Sequence, residues 1–301
     1  MLTQDQKKQY HQDGFVLLPN IFSTDTLQPV IDEVNDLVEG LALDLEAQGK
    51  LTNLHRDKGL DSRLTAIEAD CPGASVRLHT RGILSAEIAR LWSSKVLLDI
   101  VESIIGPDIV GHPVWNLRCK TPMNPLATVP WHQDCAYLSG ESDQTFQVTA
   151  WIPLVDAVAE NGCMQLIRGA HGGEVFKHRP EKDTGHPRSW YLLIDDDNLP
   201  EGERVTCEVP KGSILLLNQL VPHRSTENFS QSIRWSLDFR WQDPAYPTGA
   251  GQARSAPMRT ASDPEFVQSW DDLAILNRRS QKKHDVKETG EGRESFMSRW
   301  Q

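Results

Sequence analysis

The sequence predicts a mostly β protein with flanking helices, and three observations carry that expectation. From about residue 108 to 242 the chain breaks into short apolar runs, several bounded by Gly or Pro. That is the spacing of a barrel or a double sheet. Within this stretch, residues 232–241 alternate. Ile233, Trp235, Leu237, Phe239 and Trp241 share one face, and Arg234, Ser236, Asp238 and Arg240 share the other, which is the period of a strand. Helical periodicity is confined to the first 107 residues.

Taken in order, residues 14–18 read as a short strand. Over residues 21–43, Leu27, Val30, Ile31, Val34, Leu37, Val38 and Leu41 recur at helical spacing, with Ser23 or Thr24 placed to cap the helix. Residues 48–81 are charged and lack a clear period, so loops are expected. A second helix fits 85–105, stopped by Gly106-Pro107. Residues 109–120 read as a strand. Residues 144–155 read as another, with Pro153 ending its regular pairing. Shorter strands fit 162–167, 204–209 and 213–217. Residues 169–203 are polar and irregular, and read as an insertion of the kind that often covers a site. Residues 277–294 are rich in charge and poor in apolar side chains, a mobile tail or a loop leading to 296–300.

At 301 residues the chain suits a single domain. We divide it into a mainly helical part (1–107), a β core (108–242) carrying the insertion 169–203, and a C-terminal extension (243–301). A hydrophobic content of 39% and a charged content of 24% describe a soluble globular protein. The net charge of −11 disfavours nucleic acid as a partner, because phosphate binding needs a basic face. It does not exclude a local basic pocket for an anionic cofactor. Five cysteines, an odd number without any CxxC pair, argue against a disulfide framework and against a cysteine zinc site. Residues 1–13 lack the apolar segment of a signal peptide, and no run approaches the roughly 18 apolar residues of a membrane span. A cytoplasmic protein is therefore expected, with no membrane partner. The Asn228-Phe229-Ser230 sequon is read as chance.

The chemistry-bearing pattern is Trp131-His132-Gln133-Asp134. Positions i and i+2 of a strand point to one side, so His132 and Asp134 can offer an imidazole nitrogen and a carboxylate oxygen to one metal. A second imidazole from a distant strand would complete a two-histidine, one-carboxylate triad, which holds iron(II) on one face and leaves positions open. HxD alone is weak, since short triplets arise by chance. The candidate third ligand is His223, which follows the apolar run 215–217 and a turn. Further on, Arg234 lies on the polar face of the alternating strand. Its planar fork suits a carboxylate, and facing a barrel interior it needs an anionic partner. A dicarboxylate cosubstrate would serve. The competing reading pairs Arg234 with an acidic side chain such as Asp238.

Together these pieces resemble the phytanoyl-CoA dioxygenase family. The resemblance rests on HxD, a distal His, and Arg eleven residues beyond it (223 to 234). It extends to Tyr137 after His-Gln-Asp, Trp151 and Pro153, Glu160-Asn161-Gly162-Cys163, Gly169-Ala170-His171 and Asp13-Gly14-Phe15-Val16, covering residues 8–242. Arg224 and Ala170 depart from the usual small residue and Ser. The resemblance implies a double-stranded β-helix core of the jelly-roll or cupin kind. It implies Fe(II), with 2-oxoglutarate as cosubstrate and O₂ as oxidant, and ascorbate as an addition in assays. Carried over by position, His132, Asp134 and His223 are the metal ligands and the catalytic set. Arg234 and Ser225 hold the distal carboxylate, and Trp151 and Asn116 contact the cosubstrate. Lys120 shares Asn116's strand and can face the same site.

The implied activity is hydroxylation of a C–H bond in a small-molecule substrate, with release of succinate and CO₂. Related halogenating enzymes have a small residue where this chain has Asp134, so hydroxylation is expected over halogenation, with desaturation or ring formation still open. Two other readings stay in play: a cupin-type metalloenzyme independent of 2-oxoglutarate, and a non-catalytic binding protein on the same fold. A nucleic-acid demethylase is disfavoured by charge and by the lack of a basic aromatic stripe. His171, His178 and His186 are expected in surface or turn roles.

Overall fold

The fold is that of a computed structural model of the chain, which describes all residues except 81–83, 174, 182–190, 252, 267, 270, 274–297 and 301. Its first third is helical around one strand: α1 (Gln4–Asp13), β1 (Phe15–Leu18), α2 (Thr24–Ala47), α3 (Arg63–Asp70), α4 (Ala74–Thr80), α5 (Ala86–Trp92) and α6 (Lys95–Ile105). Helix α1 carries no apolar period, and its signal is the cap. Thr3 Oγ1 accepts from the Gln6 amide and Gln6 Oε1 accepts from the Thr3 amide, a reciprocal box. The helix ends at Gly14, φ 84°. A Cβ there would lie 2.6 Å from His171 Nδ1, so only glycine allows both the left-handed turn and the contact. In α2, Ser23 caps as expected, accepting from the Thr26 amide, and the apolar stripe Leu27, Val30, Val34, Val38, Leu41 and Leu45 is buried.

Two expectations are corrected here. Residues 48–81 are not all loop, because α3 and α4 lie within them, joined by a turn in which the Glu68 carboxylate accepts from the Gly73 and Ser75 amides, both at 2.7 Å. The expected helix over 85–105 is two helices. Ser93 closes α5 and Ser94, extended at ψ 142°, opens α6, in keeping with the preference of serine for helix ends.

The strands follow: β2 (Ile109–Gly111), β3 (Asn116–Lys120), β4 (Gln147–Pro153), β5 (Met164–Ile167), β6 (Arg179–Pro180), β7 (Leu192–Leu193), β8 (Arg204–Cys207), β9 (Ile214–Asn218), β10 (His223–Ser225), β11 (Arg234–Gln242) and β12 (Ala256–Arg259). The expected strand 109–120 is thus two, split at His112-Pro113, where proline cannot donate to a ladder. The main sheet runs β1-β9-β4-β11-β2-β12, with β3 also pairing β11. A second sheet runs β10-β5-β8. Pairing is antiparallel throughout both.

The main sheet is buried on both faces, and the alternation decides which side chain meets which layer. Val16, Leu18, Val148, Ala150, Ile152, Ile214, Leu216, Trp235, Leu237, Phe239 and Trp241 join the helical layer in one core. Phe15, Trp151, Leu215 and Leu217 point the other way, to Met164, Leu166 and Cys207 of the second sheet. Each fully buried large side chain contributes about 1.5–3 kcal/mol, so the helices clamp β11 and present its polar face, Arg234 to Arg240, to the space between the sheets. Within the insertion, β6 and β7 form a two-residue ladder. Its expected lid role and His186 fall partly or wholly outside the described residues, as does the tail 277–294. Residues Ser298–Trp300 form a 3-10 turn, and Trp300 Nε1 donates to the Ala136 carbonyl. No helix among the described residues is long and apolar enough to cross a membrane.

Candidate metal centre

His132 and Asp134 do not share a regular strand, which corrects the sequence expectation. Pro130, which has no amide to donate, precedes them, and His132 makes an isolated antiparallel bridge to His223. Asp134 then opens a 3-10 turn, Asp134–Tyr137. The bridge is doubly bonded, each histidine amide donating to the other's carbonyl at 2.9 Å. It fixes the two imidazoles at a centroid separation of 4.2 Å. The two rings are oriented in the same way. Nδ1 of His132 donates to the Pro130 carbonyl (2.8 Å) and Nδ1 of His223 to the Val221 carbonyl (3.0 Å). A carbonyl can only accept, so each ring keeps its Nε2 lone pair for the centre. Those two Nε2 atoms lie 3.9 and 4.0 Å from Asp134 Oδ1, and all three side chains are buried. Burial, then the neighbouring His223, pushes His132 well below the usual imidazole range. Burial alone would raise Asp134, yet Arg240 and the two histidines hold its carboxyl well below the usual carboxylate range. Two imidazoles and a carboxylate form a donor set that suits Fe(II).

The structure adds partners that the sequence reading missed. Arg240 grips Asp134 with two bonds, Nη2 to Oδ1 at 2.7 Å and Nε to Oδ2 at 3.1 Å, and Thr149 Oγ1 donates to Oδ2 at 3.0 Å. The signal for Arg240 was present, since it shares the alternating face with Arg234. Gln133, buried between His132 and Asp134, donates to the Leu220 carbonyl and accepts from the Phe176 amide. His178 is buried rather than at the surface as expected. Its Nε2 accepts from the Gln133 amide at 3.0 Å and its Nδ1 donates to the Phe176 carbonyl.

A pocket continues from the centre between the sheets. Ser225, Trp151, Arg234, Lys120, Arg118 and Asp238 are among the side chains that line it. Arg234 is 3% exposed. Its Nη1 donates to Ser236 Oγ at 2.6 Å, its guanidinium lies 5.1 Å from the Trp151 ring centre, and its Nε has no partner. Burial lowers it to about 10. The competing pairing with Asp238 is not made, because Asp238 accepts from Arg118 Nε at 3.1 Å. An orphaned, buried guanidinium nitrogen fits a carboxylate ligand. Ser225 Oγ accepts from the Val129 amide at 3.0 Å and so keeps its proton to donate. Asn116 does not reach the pocket wall, and its amide instead approaches Asp238 Oδ2 at 3.5 Å.

Comparison with known proteins places the chain in a family and a fold. The family model described as phytanoyl-CoA dioxygenase matches residues 10–236. A probable alpha-ketoglutarate-dependent hypophosphite dioxygenase of Stutzerimonas stutzeri is 24% identical over 232 residues, covering 75% of this chain and 73% of that protein. The peroxisomal phytanoyl-CoA dioxygenase of Mus musculus is 24% identical over 238 residues, covering 79% and 67%. Among solved structures, the apo non-heme monooxygenase ThoJ superposes with a TM-score of 0.65 at 17% identity, covering 98% of each chain. EctD from S. alaskensis gives 0.55 at 16%, covering 89% and 88%. At such identities the structural likeness establishes the fold, the jelly-roll core of non-haem oxygenases. With its family match spanning most of the sequence, the chain belongs to the phytanoyl-CoA dioxygenase family.

Proposed function

We propose that this chain, by its family a 2-oxoglutarate-dependent non-haem iron dioxygenase, hydroxylates a C–H bond of a small-molecule substrate at the centre formed by His132, Asp134 and His223. In this reading the three side chains are the Fe(II) ligands, and Arg234 and Ser225 hold the distal carboxylate of 2-oxoglutarate beside the Trp151 ring. The observation that carries it is the convergence of two Nε2 atoms and one carboxylate oxygen, each ligand tied from behind, next to a buried arginine with a free N–H.

Each residue has a physical task. The Pro130 and Val221 carbonyls hold the imidazoles in the tautomer that ligates. Arg240 and Thr149 orient Asp134 and keep it ionised. Arg234 and Ser225 set the pose of the keto acid, so that its reactive end meets the metal in one geometry. The apolar walls from Leu217, Met164 and Trp151 exclude water. Iron bound there supplies the oxidising chemistry that couples decarboxylation of 2-oxoglutarate to succinate with insertion of oxygen into the substrate. The substrate side falls to the remaining lining, which includes Arg118, Tyr191, Leu126 and Asp238.

The test is a screen of small metabolites with Fe(II), ascorbate and 2-oxoglutarate, following succinate and product mass together. A substrate whose mass rises by one oxygen, in step with succinate, is the expected result. Oxygen uptake that proceeds equally without 2-oxoglutarate would remove the cosubstrate role and favour a cupin-type enzyme.

A further inference from the structure

We propose that Arg299 and Trp300 are positioning residues for the metal centre, acting through the turn that carries Asp134. The inference rests on the reading of His132, Asp134 and His223 as ligands, and it concerns residues outside the 10–236 that the family model matches. The turn Asp134–Tyr137 is a single short 3-10 segment, and such a segment has few backbone bonds of its own to hold it. Cys135, Ala136 and Leu138 are buried, so their carbonyls need partners within the protein. Those partners come from 161 to 164 residues further along the chain. Arg299 Nη1 donates to the Leu138 carbonyl at 3.1 Å and reaches the Cys135 carbonyl at 3.4 Å. Trp300 Nε1 donates to the Ala136 carbonyl at 3.0 Å.

The two donors are themselves anchored. Arg299 Nη2 donates to the Asp143 carboxylate, and that ion pair is largely out of water, with side chains 18% and 24% exposed. The Arg299 guanidinium lies 4.8 Å from the Trp300 ring centre, a cation–π contact that ties the pair together. From Trp300 a second route leads to the ligands. Its ring lies 5.0 Å from the His178 ring, and His178 Nε2 accepts from the amide of Gln133, the residue between His132 and Asp134. Arg240 and Thr149 thus set where the Asp134 carboxylate points, while Arg299 and Trp300 set where its backbone stands. Both are needed for a ligand to be held in one geometry.

The experiment measures Fe(II) affinity by anaerobic titration of the full chain, and amide hydrogen exchange of the metal-free protein. R299M keeps the stem and removes the donors, and should weaken Fe(II) by ~10-fold, the low end for loss of a group that orients a ligand from behind. W300F keeps a ring against His178 and removes only the N–H, and should weaken it by ~3-fold, as the loss of one neutral hydrogen bond implies. R299K keeps the charge beside Asp143 and should retain most of the affinity. In R299M the amides of residues 134–138 should exchange faster, with those of β4 and β11 unchanged. Selection of 2-oxoglutarate over 2-oxovalerate, which has the same keto acid end but a methyl group in place of the distal carboxylate, should persist in every variant, because it is decided at the other end of the pocket. D143N, which frees Arg299 without altering the turn, replaces R299M if the latter does not fold. Parental iron affinity in folded R299M or D143N would overturn the proposal and leave Arg299 and Trp300 structural only. So would faster exchange spread evenly over the sheet. Failure of the underlying reading looks different: the parent protein and D134A would titrate alike with Fe(II).

Discussion

The two ends of the pocket are built on opposite principles. At the metal end, the groups around each ligand are satisfied. Both Nδ1 atoms are bonded to carbonyls, both histidine backbones are bonded to each other, and both oxygens of Asp134 are held by Arg240 or Thr149. At the far end, Lys120 and Arg234 face one pocket as cross-strand partners, and Arg234 has a buried Nε with no hydrogen-bond partner. The first end is organised before anything binds, and its geometry costs nothing to assemble later. The second is left short of negative charge, and a dicarboxylate is the ligand that supplies it. The difference teaches that, on the proposed reading, hydrogen bonds within the protein set the metal end in advance, while selection of the cosubstrate falls to the unpartnered guanidinium nitrogen at the far end.

That contrast can be broken most severely at the far end. R234A should raise the 2-oxoglutarate concentration needed for half-saturation by ~100-fold, since it removes a buried, forked charge partner. Iron binding measured without cosubstrate should not change. If R234A lost iron and keto acid affinity together, the two ends would not be separable. At the metal end, R240M should weaken Fe(II) by ~10- to 100-fold, the range for loss of a group that orients a ligand. Its preference for 2-oxoglutarate over 2-oxovalerate should stay intact. An R240M protein with parental iron affinity would show that Thr149 and packing suffice to hold Asp134.

A smaller effect comes from pH. Burial, reinforced by the charges of Arg234 and Arg118 and opposed by Glu227 and Cys163, depresses Lys120 from 10.5 to about 6 in the fold. Between those pH values the unfolded chain holds a proton that the folded, ligand-free chain lacks. Stability contributed by this group therefore rises with pH across the window, by at most about 1.4 kcal/mol per pH unit. K120M should flatten that part of the profile in chemical denaturation. Binding of 2-oxoglutarate near neutral pH should take up a proton that K120M does not, as calorimetry in buffers of different ionisation enthalpy would register.

Much of this was legible from residues alone, for reasons that can be named. The alternation around Arg234 could be read because strand period survives burial on both faces, with polar groups on the side that becomes a pocket. His132, Asp134, His223 and Arg234 were candidates by residue type, the family resemblance joined them into one set, and they line one pocket although Asp134 sits on a turn. Other parts were hidden. Helices α3 and α4, of 8 and 7 residues, are too short to show a period, and the turn between them depends on the Glu68 side chain. The partnership of Lys120 with Arg234 depends on a register between strands remote in sequence. Some motif pieces proved structural. The Gly169 amide donates to the Asp13 carbonyl, and a nitrogen of His171 donates to the His11 carbonyl. The Asp-Gly-Phe-Val and Gly-Ala-His segments therefore brace each other, away from the chemistry.

The central claim is that His132, Asp134 and His223 grip one ferrous ion. Anaerobic titration of Fe(II) in the presence of 2-oxoglutarate, followed by the visible metal-to-keto-acid band, tests it most directly. The account predicts a band that saturates at one iron per chain and is lost in D134A, with that variant still folded by circular dichroism. A band of full intensity in D134A, at the same iron stoichiometry, would contradict it.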